Sequence, residues 1–185
     1  MQRVSNVERN QLDEQGRAAY DRIASTRGSV RGPFGVLLHH PALGERVGEV
    51  GEFIRFHGVL PGSIRELAIL VVARELGAGV EWAGHAPLAR KEGASEAAID
   101  AIANRAPSSG LEGNEALVID AVRALFTEKT LSDPLYERVN AAFGVQGVIE
   151  LTVLAGYYGL LGFVLNTMQV PPPSGANVPF ALANA

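Results

Sequence analysis

Three side chains in the middle of the chain carry groups that exchange protons: Glu66, Glu81 and His85. Glu81 and His85 are four residues apart, so that in a helix they lie on one face. Glu66 begins the apolar stretch ELAILVVA, and a carboxylate buried there is costly unless it is paired or protonated. Spacing alone favours the plainer interpretation, a helix-surface pair with Glu66 bonded to a nearby arginine or a backbone amide.

The connection between these residues leaves a shared site open as the alternative. The short GAGV segment predicts that the following helix runs back antiparallel to the helix of Glu66, which brings Glu81 or His85 opposite that carboxylate. Arg65 points roughly 100° away around the helix, so it is not the obvious partner of Glu66. Two carboxylates and an imidazole in one pocket form an acid/base unit with perturbed pKa values.

The elements that position these residues are predicted to be helices. Strand-type alternation is not sustained, whereas the 3.6-residue period recurs along the chain, which predicts an all-α fold of about seven or eight helices. Ser63 is the predicted N-cap of the Glu66 helix, Pro87 predicts a kink or a break near Ala83, and the last helix is predicted from about Val148 to Met168. Residues 1–185 are assigned to one domain, whose Pro-rich tail, 171–185, packs as an extended arm on its own or a neighbouring subunit.

Composition excludes several classes of function. The formal net charge of -4 and the absence of Lys/Arg blocks argue against nucleic-acid binding. The chain has no cysteine, which removes thiol reactions, disulfides and zinc–thiolate sites, and no HExxH motif or carboxylate triad predicts another metal site. The polar N-terminus lacks the pattern of a signal peptide, so a cytoplasmic location is expected.

The apolar run from Gly147 to Leu165 approaches the length of a membrane span. It contains Glu150 and four glycines, and such a helix is more often buried in a core or at an oligomer interface. With the Pro-rich tail, it offers more apolar surface than one small domain covers, which predicts a homo-oligomer and no membrane insertion.

Four further residues are candidates for substrate binding: His39, Trp82, Tyr157 and Arg65. His39 precedes Pro41 at the end of a Gly-rich loop, and Tyr157 lies seven residues after Glu150 on the same face of its helix. The alternatives are an exposed loop for His39 and core or interface packing for the two aromatic side chains.

These motifs resemble the carboxymuconolactone decarboxylase family, relatives of the AhpD-type alkylhydroperoxidases. The resemblance rests on GPFGVLLHHPAL, RELAILVVAREL, EWAGHAPLARKEGASEAAIDAI and the closing GVIELTVLAGYYGLLGFVLN. It implies an all-helical fold that assembles as trimers or hexamers, with active sites near subunit contacts. In the peroxidase branch a glutamate precedes a Cys-x-x-Cys-x-x-x-His segment; Glu66 and His85 match these positions, while Ala78 and Glu81 stand where the cysteines would be. Without thiols that peroxidase mechanism is excluded.

What remains resembles the decarboxylase branch, which works without cofactor or metal. The resulting hypothesis is a cofactor-free lyase in which Glu66, Glu81 and His85 act on a small carboxylated lactone of the 4-carboxymuconolactone type. An isomerase, cyclase or hydrolase on the same fold, and a non-catalytic oligomeric binding protein, are the alternatives. An acidic substrate also needs cations, and Arg31 or an arginine from a neighbouring subunit is the expected source besides Arg65.

Overall fold

A computed structural model describes residues 1–183 and contains eight α-helices and no β-strand in that range. The predicted all-α fold is therefore confirmed. The helices are α1 (Glu14–Arg27), α2 (Pro33–Leu37), α3 (Pro41–Phe56), α4 (Gly62–Glu75), α5 (Gly79–Lys91), α6 (Glu96–Ala103), α7 (Gly113–Thr127) and α8 (Asp133–Thr167), with short 3₁₀ turns at Arg9–Gln11 and Ser108–Gly110.

Helix α4 is the centre of the fold. It packs against α5, α6, α7 and α8, and the run from Leu67 to Ala73 is at most 1% exposed. A helix that is apolar on every side is stable in water only when neighbours cover it completely. Any polar side chain on α4 must then find its partner inside the protein, and Glu66, which is 3% exposed, is one such side chain.

The predicted N-cap of α4 is wrong, and so is a break in α5, whereas a kink at Pro87 stays a prediction. Helix α4 begins at Gly62 behind Pro61, so Ser63 lies in its first turn rather than at its N-cap. Helix α5 runs unbroken from Gly79 to Lys91 with Pro87 inside it. Pro87 is exposed and Ala83 is only half-buried, so the carbonyl that loses its helical hydrogen bond lies near the solvent side of the helix.

Helix α8 consists of two rods that meet at Gly144. Its φ of 68° and ψ of 174° are not helical, and a positive φ of this kind favours glycine. The first rod starts directly after Ser132, which is its N-cap residue. The second follows directly after Gly144, a few residues earlier than the predicted start at Val148.

The hydrogen-bond partners of Glu150 explain why this carboxylate lies within the apolar second rod of α8. One of its oxygens accepts from the Val59 amide at 2.6 Å and the other from the Leu60 amide at 3.1 Å. The carboxylate thus holds the turn between α3 and α4 from inside the fold. Helix α8 is long and apolar enough to cross a membrane, with a mean hydropathy of 1.8 over an 18-residue stretch. However, 56% of that stretch is buried inside the protein. It therefore fits a core helix of a soluble fold.

The C-terminal tail packs on its own chain as far as the structure describes it. Phe180 meets the Trp82 ring edge to face at 5.2 Å, and the guanidinium of Arg74 lies 4.8 Å from the centre of the Phe180 ring. The Ala183 amide donates to the Gly77 carbonyl at 3.2 Å. The tail therefore covers the turn between α4 and α5; residues 184 and 185 of the predicted arm lie outside the described residues.

Candidate active site

His85 lies between two carboxylates in the interior. Its Nδ1 is 2.7 Å from Glu66 Oε2, and its Nε2 is 3.4 Å from Glu81 Oε2. The three residues are 9%, 3% and 6% exposed. Antiparallel packing of α4 and α5 brings Glu66 opposite His85, and the helical spacing of Glu81 and His85 places the second carboxylate on the other ring nitrogen. The structure thus brings together the three residues that the sequence suggested for one site.

Arg65 takes part in this cluster, contrary to the expectation from its place on the helix. Its Nε lies 3.6 Å from Glu66 Oε1, and this nitrogen is buried without a hydrogen-bond partner within residues 1–183. A long arginine side chain bends back along the helix surface and overcomes the angular separation of adjacent residues. With His85 protonated, two cations then balance two carboxylates.

The two carboxylates keep His85 protonated. Burial alone lowers the pKa of His85, but the hydrogen bonds to Glu66 and Glu81 and the negative charges of both outweigh it. The net effect raises the pKa from 6.5 to about 9. An imidazolium at neutral pH carries a proton on each nitrogen, so Nδ1 donates to Glu66 while Nε2 faces Glu81.

Tyr158 covers the imidazole from α8. The two rings meet edge to face at 5.1 Å, and Tyr158 is 3% exposed. Burial, followed by the charges of Glu81 and Glu66, raises the pKa of Tyr158 well above its usual value. The phenol is therefore neutral at physiological pH and available only as a hydroxyl.

A cavity of about 420 Å³ opens onto this cluster. Glu81 and His85 both line it, whereas Glu66 does not. Glu81 Oε1 is buried and has no hydrogen-bond partner within the described chain. A buried carboxylate oxygen without a donor is costly, and at the wall of a cavity it is a ready acceptor for a bound molecule or its proton.

Three arginines line the same cavity: Arg27 from the end of α1, Arg31 from the loop that follows and Arg55 from α3. None of them forms an ion pair within residues 1–183. Because the floor of the cavity is electrically balanced, these guanidinium groups leave the cavity with a surplus of positive charge, although the chain as a whole is acidic. The surplus suits an anionic ligand.

The four predicted substrate-binding residues are not among those that line this cavity. His39 is exposed and its Nε2 lies 2.9 Å from the Ser5 carbonyl oxygen. Trp82 packs in the core against Phe180, and Arg65 pairs with Glu66. Tyr157 comes nearest, since its hydroxyl lies 3.5 Å from Arg27 Nη2.

Sequence reasoning found Arg31 but missed Arg27, Arg55 and Tyr158. Arg31 stands in a conspicuous Gly-rich loop, whereas Arg27 and Arg55 each lie in the last turn of a helix. Basic residues are common there because they complement the helix dipole, so the position alone is no signal of a site. Only the packing of α1 against α3, and of α3 against α8, brings the two arginines to one cavity.

Comparison with known proteins supports the family resemblance and the fold. Residues 41–125 match the carboxymuconolactone decarboxylase family, which confirms the resemblance over the segment that contains Glu66, Glu81, His85 and Arg55. A crystal structure from Ralstonia eutropha JMP134, described as an alkylhydroperoxidase AhpD core and an uncharacterized peroxidase-related protein, superimposes with a TM-score of 0.78. The similarity covers 100% of this chain and 97% of that one at 14% sequence identity, so it establishes the AhpD-like fold. No curated protein matches the chain.

Proposed function

We propose that this chain is a cofactor-free carboxy-lyase that decarboxylates a small carboxylated lactone of the 4-carboxymuconolactone type by acid/base catalysis. One observation carries the proposal: a buried imidazolium and a carboxylate with an unpartnered oxygen line a cavity that three arginines make cationic. The match to the carboxymuconolactone decarboxylase family over residues 41–125 supports it.

The reaction needs a proton source and an anion site rather than a cofactor. When the C–CO₂ bond breaks, its electron pair passes into the conjugated lactone, whose carbonyl oxygen takes up negative charge. Carbon dioxide leaves, and one proton is then delivered to carbon. Donors that stabilise the oxygen and an acid that delivers the proton are therefore sufficient.

The residues divide into two roles. Glu81 and His85 line the cavity, so they are the candidates for contact with substrate and for proton transfer. Glu66 is a positioning residue, because its bond to Nδ1 fixes the ring and helps to keep it charged. His85 is the proposed proton source, and Glu81 the group that returns the proton from solvent.

Two other functions remain alternatives. An isomerase, cyclase or hydrolase would use the same acid/base pair on a related lactone. A non-catalytic binding protein is less favoured, because it predicts solvated side chains or unrelated salt bridges where His85 and its two carboxylates converge. Thiol-dependent peroxide reduction is excluded for this chain because it has no cysteine.

The test is incubation with 4-carboxymuconolactone, with products followed by NMR and carbon dioxide measured in parallel. We expect one carbon dioxide per lactone consumed. Ring opening without carbon dioxide would indicate a hydrolase, and rearrangement without loss of mass an isomerase. No reaction with this lactone would remove the proposed substrate class.

We also propose that the protein is a cytoplasmic homo-oligomer, a trimer or hexamer. Apolar side chains at helical spacing form an exposed stripe on the second rod of α8, with Ile149 58%, Val153 46%, Leu160 42% and Phe163 61% exposed. Such a stripe is costly in water unless another surface covers it. Light scattering coupled to size exclusion should give a multiple of 19.6 kDa. A monomer at every concentration would contradict this proposal.

A further inference from the structure

The guanidinium of Arg27 is held in place before any ligand binds. It lies 4.2 Å from the centre of the Phe34 ring, and its Nη2 donates to the Gly48 carbonyl at 3.3 Å and to the Tyr157 hydroxyl at 3.5 Å. Its Nε is buried without a partner, and its Nη1 makes no hydrogen bond within residues 1–183. An arginine fixed on one side with donors unused on the other is organised to bind an anion.

Gly51 on α3 leaves the space that the Arg27 guanidinium occupies. A Cβ at this position would lie 2.5 Å from Arg27 Nη2 and would also collide with the Tyr157 hydroxyl. The arginine and the tyrosine therefore occupy the space that a side chain at residue 51 would fill. The glycine is explained by the guanidinium, not by backbone conformation, since it is a helical residue with an ordinary φ.

The chemistry of decarboxylation decides which substrate group suits this position. A carboxylate that departs as carbon dioxide loses its charge in the transition state, so a strong cation on it would stabilise the ground state and slow the reaction. A carboxylate that the product retains has the same charge throughout, and a cation there contributes binding without that penalty. A fixed arginine is therefore best placed on a retained carboxylate.

We propose that Arg27 is the specificity-determining residue of the cavity: it binds the retained carboxylate of a dianionic substrate, and Phe34, Gly51 and Tyr157 position it. The inference rests on the proposed function, whose lactone already carries two carboxylates, and adds the residue that binds the carboxylate the product retains. Arg31 and Arg55 supply further positive charge at the same cavity.

Binding of maleate, a planar dicarboxylate, tests carboxylate binding by Arg27, here called the anion clamp, without any turnover. We expect Arg27→Gln to weaken maleate binding, measured by titration calorimetry, by roughly 10- to 100-fold, as for a lost charge-assisted hydrogen bond. Gly51→Ala should weaken it in the same direction by displacing the guanidinium. Arg22→Gln is the matched control, because Arg22 pairs with Glu45 away from the cavity and its loss should leave the affinity unchanged.

Steady-state kinetics distinguish substrate binding by Arg27 from a purely structural role of this residue. If the lactone is a substrate, Arg27→Gln should raise KM far more than it lowers kcat, and Arg27→Lys should restore part of the affinity. Failure of the wild type to bind maleate, or equal affinity in Arg27→Gln, overturns the clamp, even if carbon dioxide is released. Loss of maleate binding in Arg27→Gln without any decarboxylation by the wild type upholds the anion clamp and overturns the proposed function instead.

Discussion

Replacing His85 by glutamine is expected to lower kcat by about 10²- to 10⁴-fold, the usual contribution of a positioned acid or base. Glutamine keeps the approximate size of the side chain and can still donate a hydrogen bond to Glu66, but it cannot transfer a proton near neutral pH. Steady-state assay on the lactone is the measurement. Because His85 lines the cavity, the loss should fall on kcat rather than on KM alone.

The control for this substitution is His57→Gln. His57 is exposed at the end of α3 and does not line the cavity, so the same chemical change there should leave kcat unchanged. Circular dichroism of both variants checks that they fold. Should His85→Gln retain kcat within twofold of the wild type, proton transfer by His85 is ruled out.

The stability of the fold is expected to fall as pH rises from about 6.5 to about 9, because the folded state holds a proton on His85 that the unfolded state releases earlier. Folding raises the pKa of this group from 6.5 to about 9. The contribution is therefore fully present below pH 6.5 and is lost as the pH passes the folded value. A shift of this size contributes on the order of 3 kcal/mol to the free energy of unfolding below pH 6.5.

Urea unfolding at pH 6 and at pH 9.5 measures this difference. Glu66→Gln should reduce the pH dependence, since the neutral amide removes one of the two charges that favour the imidazolium. The matched change at an exposed carboxylate, Glu96→Gln, should leave the dependence as it is in the wild type. Equal free energies of unfolding at both pH values would contradict the raised pKa.

The sequence predicted the acid/base cluster because local rules allowed it and the resemblance to the carboxymuconolactone decarboxylase family favoured it over a helix-surface pair. The helical spacing of Glu81 and His85, and the short antiparallel connection behind the apolar helix of Glu66, are each visible in a single stretch of chain. The rule that a buried carboxylate needs a partner then joins the two stretches. The same rule explains Glu150, whose partners in the α3–α4 turn are about 90 residues away and leave no trace in the local pattern.

The cationic wall of the cavity was not predictable in this way. Arg27 and Arg55 lie on helices whose mutual packing depends on many side chains at once, and neither belongs to a motif. Tyr157 and Tyr158 both fit the apolar face of α8, so the sequence does not single out Tyr158, which meets the His85 ring edge to face. Arg65 was assigned to the substrate from its position beside the motif, whereas the folded side chain bends toward Glu66.

Carbon dioxide release in deuterium oxide tests the central claim most directly. With 4-carboxymuconolactone as substrate, the wild-type protein should release one carbon dioxide and place at least one deuteron on carbon in the product for each lactone consumed, with no added metal or cofactor. His85→Gln should do both at least about 100-fold more slowly. Intact lactone after prolonged incubation with the folded wild-type protein would contradict the account.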